Sequence, residues 1–86
     1  MVTDISQIIE QDVKAAYLAF RSDDFRLMNI FANRIMSNAI LSENPRLTLS
    51  GFFLKEIARI CGEIKARQDL TTFSTSKSHA DAYIKS

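Results

Sequence analysis

The 86-residue sequence has few of the residues that interrupt helices, because it holds two glycines and one proline. Scarce turn formers leave few places for the chain to reverse, and no segment competes as a β-strand. Apolar residues instead recur three and four positions apart through most of the chain. These features predict an all-α fold and exclude a β-rich one.

Cysteine and histidine are equally scarce, with one of each, Cys61 and His79. A single cysteine forms no internal disulfide, and one Cys with one His is too few ligands for a structural zinc site. No apolar run approaches the ~18 residues of a membrane span, and Asp4 and Glu10 interrupt a signal-peptide pattern. These absences predict a cytoplasmic protein in a reducing compartment, with no metal, cofactor or membrane partner.

The chain also lacks an excess of charge, because eleven Lys and Arg against ten Asp and Glu give a net charge of +1. This balance removes the general electrostatic argument for binding nucleic acid or an anionic membrane. Apolar residues make up 47% of the sequence, which is enough for one compact domain. A chain this short buries only about 60% of its unfolded surface, so contact with another chain would add useful stability.

Helical periodicity defines three long segments. Thr3 is the expected N-cap of the first helix, and Asn44 or Thr48 of the third. The expected spans are 4–21, 24–41 and 45–68. The side chains predicted to face the core are Ile5, Ile9, Val13, Ala16 and Phe20 in the first helix, Phe25, Met28, Phe31, Ala32, Ile35 and Ala39 in the second, and Leu49, Phe53, Ile57, Ile60, Cys61 and Ile64 in the third.

The C-terminal segment has a different composition, since residues 71–78 are rich in Ser and Thr. This composition predicts a linker between a three-helix core, residues 1–70, and a short helix within residues 71–86. Ser78 and Asp81 have the spacing of a capping box for that short helix. The predicted fold is therefore an all-α antiparallel bundle of three long helices plus a short C-terminal helix, a single domain overall with the second helix at its centre.

A polar cluster is predicted around Asp12, which falls in the middle of the apolar arc of the first helix. A buried, unpaired carboxylate is costly, so we expect a partner for it. The second helix offers Asn29, Asn33 and Arg34 as partners. Asparagine is unfavourable inside a helix, so its presence there suggests a contact with another helix. The cluster is either a structural contact that fixes helix register or a ligand site.

Several large apolar side chains lie outside the predicted core faces, among them Leu27, Ile30, Phe52 and Tyr83. Surplus apolar surface marks an interaction site, unless the C-terminal segment folds back over it as a fourth helix. We expect a small non-enzymatic interaction or assembly module that acts through homo-oligomerisation or by docking a partner protein. These four residues are the predicted contacts.

The alternative function is a nucleic-acid-associated helical domain, because Arg21, Arg26, Arg34 and Arg46 flank or occupy the second helix. Two helices joined by a short turn also suggest a helix-turn-helix motif. The wide apolar face of the second helix and the acidic residues beside its ends argue against this interpretation. Nucleic acid is therefore an unlikely partner.

The sequence contains no nucleophile elbow, no Gly-rich phosphate loop and no His–Glu helix motif, so no catalytic residue is predicted. The plan of small helices joined by a short acidic turn is similar to HEPN-type domains in architecture alone. Ribonuclease members of that group carry an Arg closely followed by a His, whereas His79 stands twelve residues after Arg67. This likeness implies no activity and no site residue, and it assigns no family.

Overall fold

The computed structural model describes residues 4–85, and four α-helices that pack together account for most of them. They are α1 (Ile5–Arg21), α2 (Phe25–Leu41), α3 (Pro45–Ala66) and α4 (Leu70–Lys85). Helix α2 packs against both α1 and α3, and α4 packs mainly against α3. The all-α prediction is confirmed, with no strand in the described part of the chain. Within residues 4–85, no helix has the length and apolar character needed to cross a membrane.

Successive helices are joined by three-residue turns that share one construction. Asp23, Glu43 and Gln68 occupy the middle of the turns in the left-handed backbone region, with φ values of 59°, 54° and 59°. In the first turn, the N–H groups of Asp23 and Asp24 donate to carbonyls in the last turn of α1 at 3.1 and 2.9 Å. The second turn repeats this pattern, which satisfies carbonyls that a helix end otherwise leaves unpaired.

The helices begin at polar caps. Asp24 caps α2 and Asn44 caps α3, and each side chain accepts a hydrogen bond of 3.1 Å from the N–H three residues later. Of the two candidates for α3, Asn44 is therefore the cap and Thr48 is not. At α1, Asp4 is the cap that the structure shows, whereas the predicted cap Thr3 lies outside the described residues.

The C-terminal segment differs from the prediction, because one continuous helix replaces the expected linker and short helix. Asp69, rather than Ser78, stands at the start of α4 and accepts hydrogen bonds from the backbone N–H and the hydroxyl of Thr72, at 3.1 and 2.7 Å. Farther along, the hydroxyl of Thr75 donates to a carbonyl four residues back. Ser and Thr side chains that bond within the helix are compatible with helical structure, so composition alone was a poor guide here.

The core lies where α1 and α2 bury the faces predicted for them. Phe20, Met28 and Ile35 are among the largest fully buried side chains. Ile5, which was predicted to face the core, is exposed by 37%, and Val13 and Phe31 are only partly buried. The periodicity of these two helices therefore predicts most of their inner faces, with Ile5 as the exposed exception and Val13 and Phe31 at the margins of the buried faces.

Helix α3 buries a face that only partly matches the predicted one: Cys61 is buried as predicted, and Ile57 and Ile64 are partly buried. Its buried residues are Gly51, Leu54, Ala58 and Cys61. Three residues predicted to lie inside are exposed instead: Leu49 by 54%, Phe53 by 38% and Ile60 by 44%.

The close approach of α2 and α3 explains this rotation. A Cβ atom added to Gly51 would lie 2.6 Å from Met36 Cγ, 3.0 Å from Met36 N and 3.2 Å from Ala32 O. Only a residue without a side chain fits at that point, and small residues such as Ala58 occupy the same buried line. Leu49, Phe53 and Ile60 therefore lie on the flanks of the contact with α2, whereas Leu54 is buried.

Candidate interaction surface

The principal feature of the surface is a groove between the C-terminal half of α2 and the N-terminal half of α3. It encloses about 640 Å³, and all its lining residues belong to these two helices and the turn between them. Three of the lining side chains are large, apolar and accessible: Ile40 is 61% exposed, Leu49 54% and Phe52 47%. Polar residues, including Glu43 and Thr48, lie among the remaining lining residues. We call this feature the α2–α3 groove.

The buried contact between the two helices sets the position of these side chains. Ile40 follows the buried Ala39, and Phe52 follows the buried Gly51. One residue corresponds to a rotation of about 100° on a helix, so both side chains lie beside the contact line rather than in it. Close packing of α2 on α3 therefore creates the floor of the groove and leaves its apolar walls accessible.

A charged concavity of about 470 Å³ lies between the other halves of α2 and α3. On α3, Arg59 donates to Glu56 at 2.9 Å and to Glu63 at 3.3 Å. The hydrogen bond from Arg59 lowers the pKa of the Glu56 carboxyl, so this carboxyl is ionised at neutral pH. These charges are paired within one helix.

Of the four predicted contact residues, only Phe52 lines the α2–α3 groove. Leu27 and Ile30 are exposed by 39% and 48% on α2 but do not line it. Tyr83 packs edge-on against Phe53, with ring centroids 5.6 Å apart, and lines a separate cavity. The structure therefore does not bring the four residues together in this groove.

Sequence reasoning missed two of the groove's apolar walls, Ile40 and Leu49. Leu49 was assigned to the core because the inner face of α3 was predicted at the wrong rotation. Ile40 has no distinguishing signal in the sequence, since isolated exposed apolar residues are common. The close contact of Gly51 with Met36 shows where α2 and α3 touch, and Ile40 and Leu49 both lie outside that contact.

The polar cluster reduces to a single ion pair. Asp12 is 5% exposed, and its Oδ2 lies 3.4 Å from Nε of Arg34. That oxygen accepts no hydrogen bond from the described residues, so the contact is electrostatic. Asn33 is exposed, and Asn29 lines the charged concavity between α2 and α3. The structure thus brings Arg34 to Asp12, leaves Asn33 beside Arg34 in a shallow concavity, and places Asn29 elsewhere.

The four arginines of the alternative interpretation are spread along the molecule. Arg26 lies at the start of α2 and Arg46 at the start of α3, so the length of α2 separates them. Seventeen residues of helix span about 25 Å. Arg34 pairs with Asp12 in the middle of α2, and Arg21 ends α1. Their separation argues against a single basic patch.

A partly buried cation, Lys77, fastens α4 to the turn between α1 and α2. Lys77 Nζ lies 2.6 Å from Asp23 Oδ1 and 2.5 Å from the carbonyl oxygen of Phe20. The ammonium also lies 4.0 Å from the centroid of the Phe20 ring, with the rings of Phe25 and Phe73 within 6.0 Å. Cation–π contact adds to the charged hydrogen bonds. Nothing in the Ser/Thr-rich segment singles out this lysine in advance.

Few reactive groups stand out elsewhere. Cys61 is buried among core side chains, and burial raises the pKa of its thiol, which disfavours the nucleophilic thiolate. His79 is exposed on α4. Within residues 4–85, no group of three or more His, Cys, Asp or Glu side chains has the arrangement needed to hold a metal ion. The apolar groove is therefore the strongest candidate site.

Comparisons of the chain with protein-family models, with curated proteins and with solved structures find no match.

Proposed function

We propose that this chain is a small non-enzymatic interaction or assembly module, acting by homo-oligomerisation or by docking a partner protein. The α2–α3 groove carries the proposal, because three large apolar side chains stand about half exposed around one concavity. An apolar centre with polar residues at its edge is the usual anatomy of a protein interface. Burying the exposed half of each side chain would contribute about 1 kcal/mol.

The proposal also covers the arrangement and setting of the module. Three-residue turns favour antiparallel packing of successive helices, so an antiparallel bundle is the arrangement we adopt. A reducing, cytoplasmic setting suits a chain with one free thiol. The nucleic-acid alternative has less support, because Arg26 and Arg46 lie at opposite ends of α2.

Photo-crosslinking inside cells tests whether the groove is a binding surface. A benzophenone-bearing amino acid replaces Phe52 in the full chain, and the matched control carries it in place of Leu18 on α1, which is 62% exposed. Irradiation is expected to give discrete adducts from position 52 and much weaker ones from position 18. Adding Leu49→Asp to the groove should abolish the position-52 adducts. Equal labelling from both positions, or adducts that persist with Leu49→Asp, would contradict an interaction function for this groove.

A further inference from the structure

We infer that the occupant of the α2–α3 groove is the same groove of a second copy of this chain, related to the first by a twofold axis. This inference rests on the proposed function and names its partner. Three observations carry it: the total exposed area, the shape of the groove and the distribution of charge.

The chain exposes more surface than a monomer of its mass usually does. Its accessible surface is 5984 Å², whereas a folded monomer of 9.7 kDa is expected to expose about 5,100 Å². The excess is roughly 900 Å². A standard specific interface removes about 800 Å² from each partner. The molecule is elongated, with extents of 46 × 22 × 18 Å. One contact between two copies would therefore bury about as much surface per copy as the molecule exposes in excess.

The shape of the groove suits contact with a copy of itself. A twofold interface requires that one surface present both parts of each contact, so that a projection on one copy meets a concavity on the other. Phe52 is 47% exposed at a concavity whose other walls include Ile40 and Leu49. Phe52 of each copy can therefore insert beside Ile40 and Leu49 of the other. Both insertions form together when the axis passes through the groove.

The distribution of charge does not call for a strongly charged partner. Net charge is +1, so two copies repel each other only weakly. Glu43 is the one ionisable residue among the groove's lining residues. Farther along α3, in the charged concavity, Arg59 is already paired with Glu56 and Glu63 on its own helix. A nearly neutral, apolar partner surface therefore suits the groove, and the groove of a second copy is such a surface.

Light scattering during size exclusion tests the inference on the full chain, at low and high concentration and at two salt strengths. The expected mass rises with concentration to twice 9.7 kDa and goes no higher, because a twofold contact closes. Phe52→Asp should weaken self-association about 100-fold, since symmetry introduces the change twice and each copy costs about tenfold. The control Leu18→Asp should leave the mass unchanged. Circular dichroism confirms that both variants fold.

Mixing wild type with Phe52→Asp separates a twofold contact from a head-to-tail one. A twofold contact predicts that the mixed dimer is weakened only about tenfold, because it carries one altered copy. A head-to-tail contact instead predicts chains that grow beyond two copies. Growth of this kind, or a dimer that Phe52→Asp leaves intact, would overturn the inference.

The two experiments distinguish failure of the inference from failure of the proposed function. A mass of 9.7 kDa at every concentration, together with position-52 adducts to a different protein that Leu49→Asp abolishes, would refute the second copy while the interaction function stands. A monomer without groove-specific adducts would refute both. A dimer sensitive to Phe52→Asp, with adducts of chain to chain, supports both.

Discussion

The two glycines of α3 are expected to respond in opposite directions when each is replaced by alanine. Both lie inside the helix, where alanine is intrinsically favoured over glycine by about 0.8–1.0 kcal/mol. A Cβ at Gly62 would meet Phe25 Cβ at an ordinary 3.5 Å. Gly62→Ala should therefore raise the free energy of unfolding by about 0.5–1 kcal/mol.

At Gly51 the same change meets backbone atoms of α2. The Cγ atom of Met36, 2.6 Å away, belongs to a flexible side chain and can move. The backbone nitrogen of Met36 and the carbonyl oxygen of Ala32, at 3.0 and 3.2 Å, move only if α2 is displaced. Overpacking of this kind costs about 1–3 kcal/mol. After the gain in helix propensity, Gly51→Ala should lower the free energy of unfolding by about 1 kcal/mol.

Urea unfolding followed by far-ultraviolet circular dichroism measures both changes, at equal chain concentration so that association contributes equally. The expected difference between the two variants is about 1.5–2 kcal/mol, and each kcal/mol corresponds to about 4–8 °C in Tm for a domain of this size. If Gly51→Ala is as stable as Gly62→Ala, the close approach of α2 and α3 is not present. The assignment of Ile40 and Leu49 to an open groove would then lose its geometric basis.

Three further changes probe the polar contacts. Arg34→Met leaves Asp12 buried without its cation and should lower the free energy of unfolding at pH 7 by about 1–3 kcal/mol. Adding Asp12→Asn should recover part of this loss. Equal stability of the wild type and Arg34→Met would contradict the ion pair. Lys77→Met should speed amide hydrogen exchange within residues 70–85 more than in α1 to α3, and uniform acceleration would show that this lysine does not fasten α4 specifically. The hydrogen bond from the Tyr17 hydroxyl is the main cause of the lowered pKa of Asp81. The stability that this hydrogen bond adds to the folded protein is fully present above the unfolded pKa of about 3.9. It is lost as the pH falls through the lower pKa of the folded state. Tyr17→Phe should therefore destabilise the protein more at pH 7 than at pH 3 in thermal unfolding, and a constant difference would refute the link.

Local chemistry in the sequence predicts the boundaries of α1, α2 and α3 well, because those boundaries depend on neighbouring residues, whereas the start of α4 at Leu70 was not predicted. Asp24 and Asn44 cap the helices that follow them, and the spans of α2 and α3 agree with the prediction to within about two residues. The apolar arcs of α1 and α2 each define one inner face, which holds the buried residues of the helix. Asp12 stands inside the first of these arcs, so its burial and its need for a partner on α2 were also predictable.

The inner face of α3 was not predictable, because large apolar residues surround this helix. Leu49 and Phe53, four residues apart, share one face, whereas Leu54 lies about 100° from Phe53, and hydrophobic periodicity favours the face with Phe53 for the core. The structure instead buries the face with Gly51, Leu54 and Ala58, since α2 approaches too closely at Gly51 for a larger side chain. The groove depends on which face of α3 is buried, so it could not be predicted from the sequence either.

Sequence by itself determined the helical class, the Asn44 cap of α3, the turns between α1, α2 and α3 and most of the inner faces of α1 and α2, because these depend on interactions within about one helical turn. Tertiary structure alone decided which face of α3 is buried, that residues 70–85 form one helix and that Lys77 holds it against Phe20. These outcomes depend on contacts between residues far apart in the chain, such as Met36 with Gly51. Their energies are set by the distance between helix axes, and no local pattern encodes that distance.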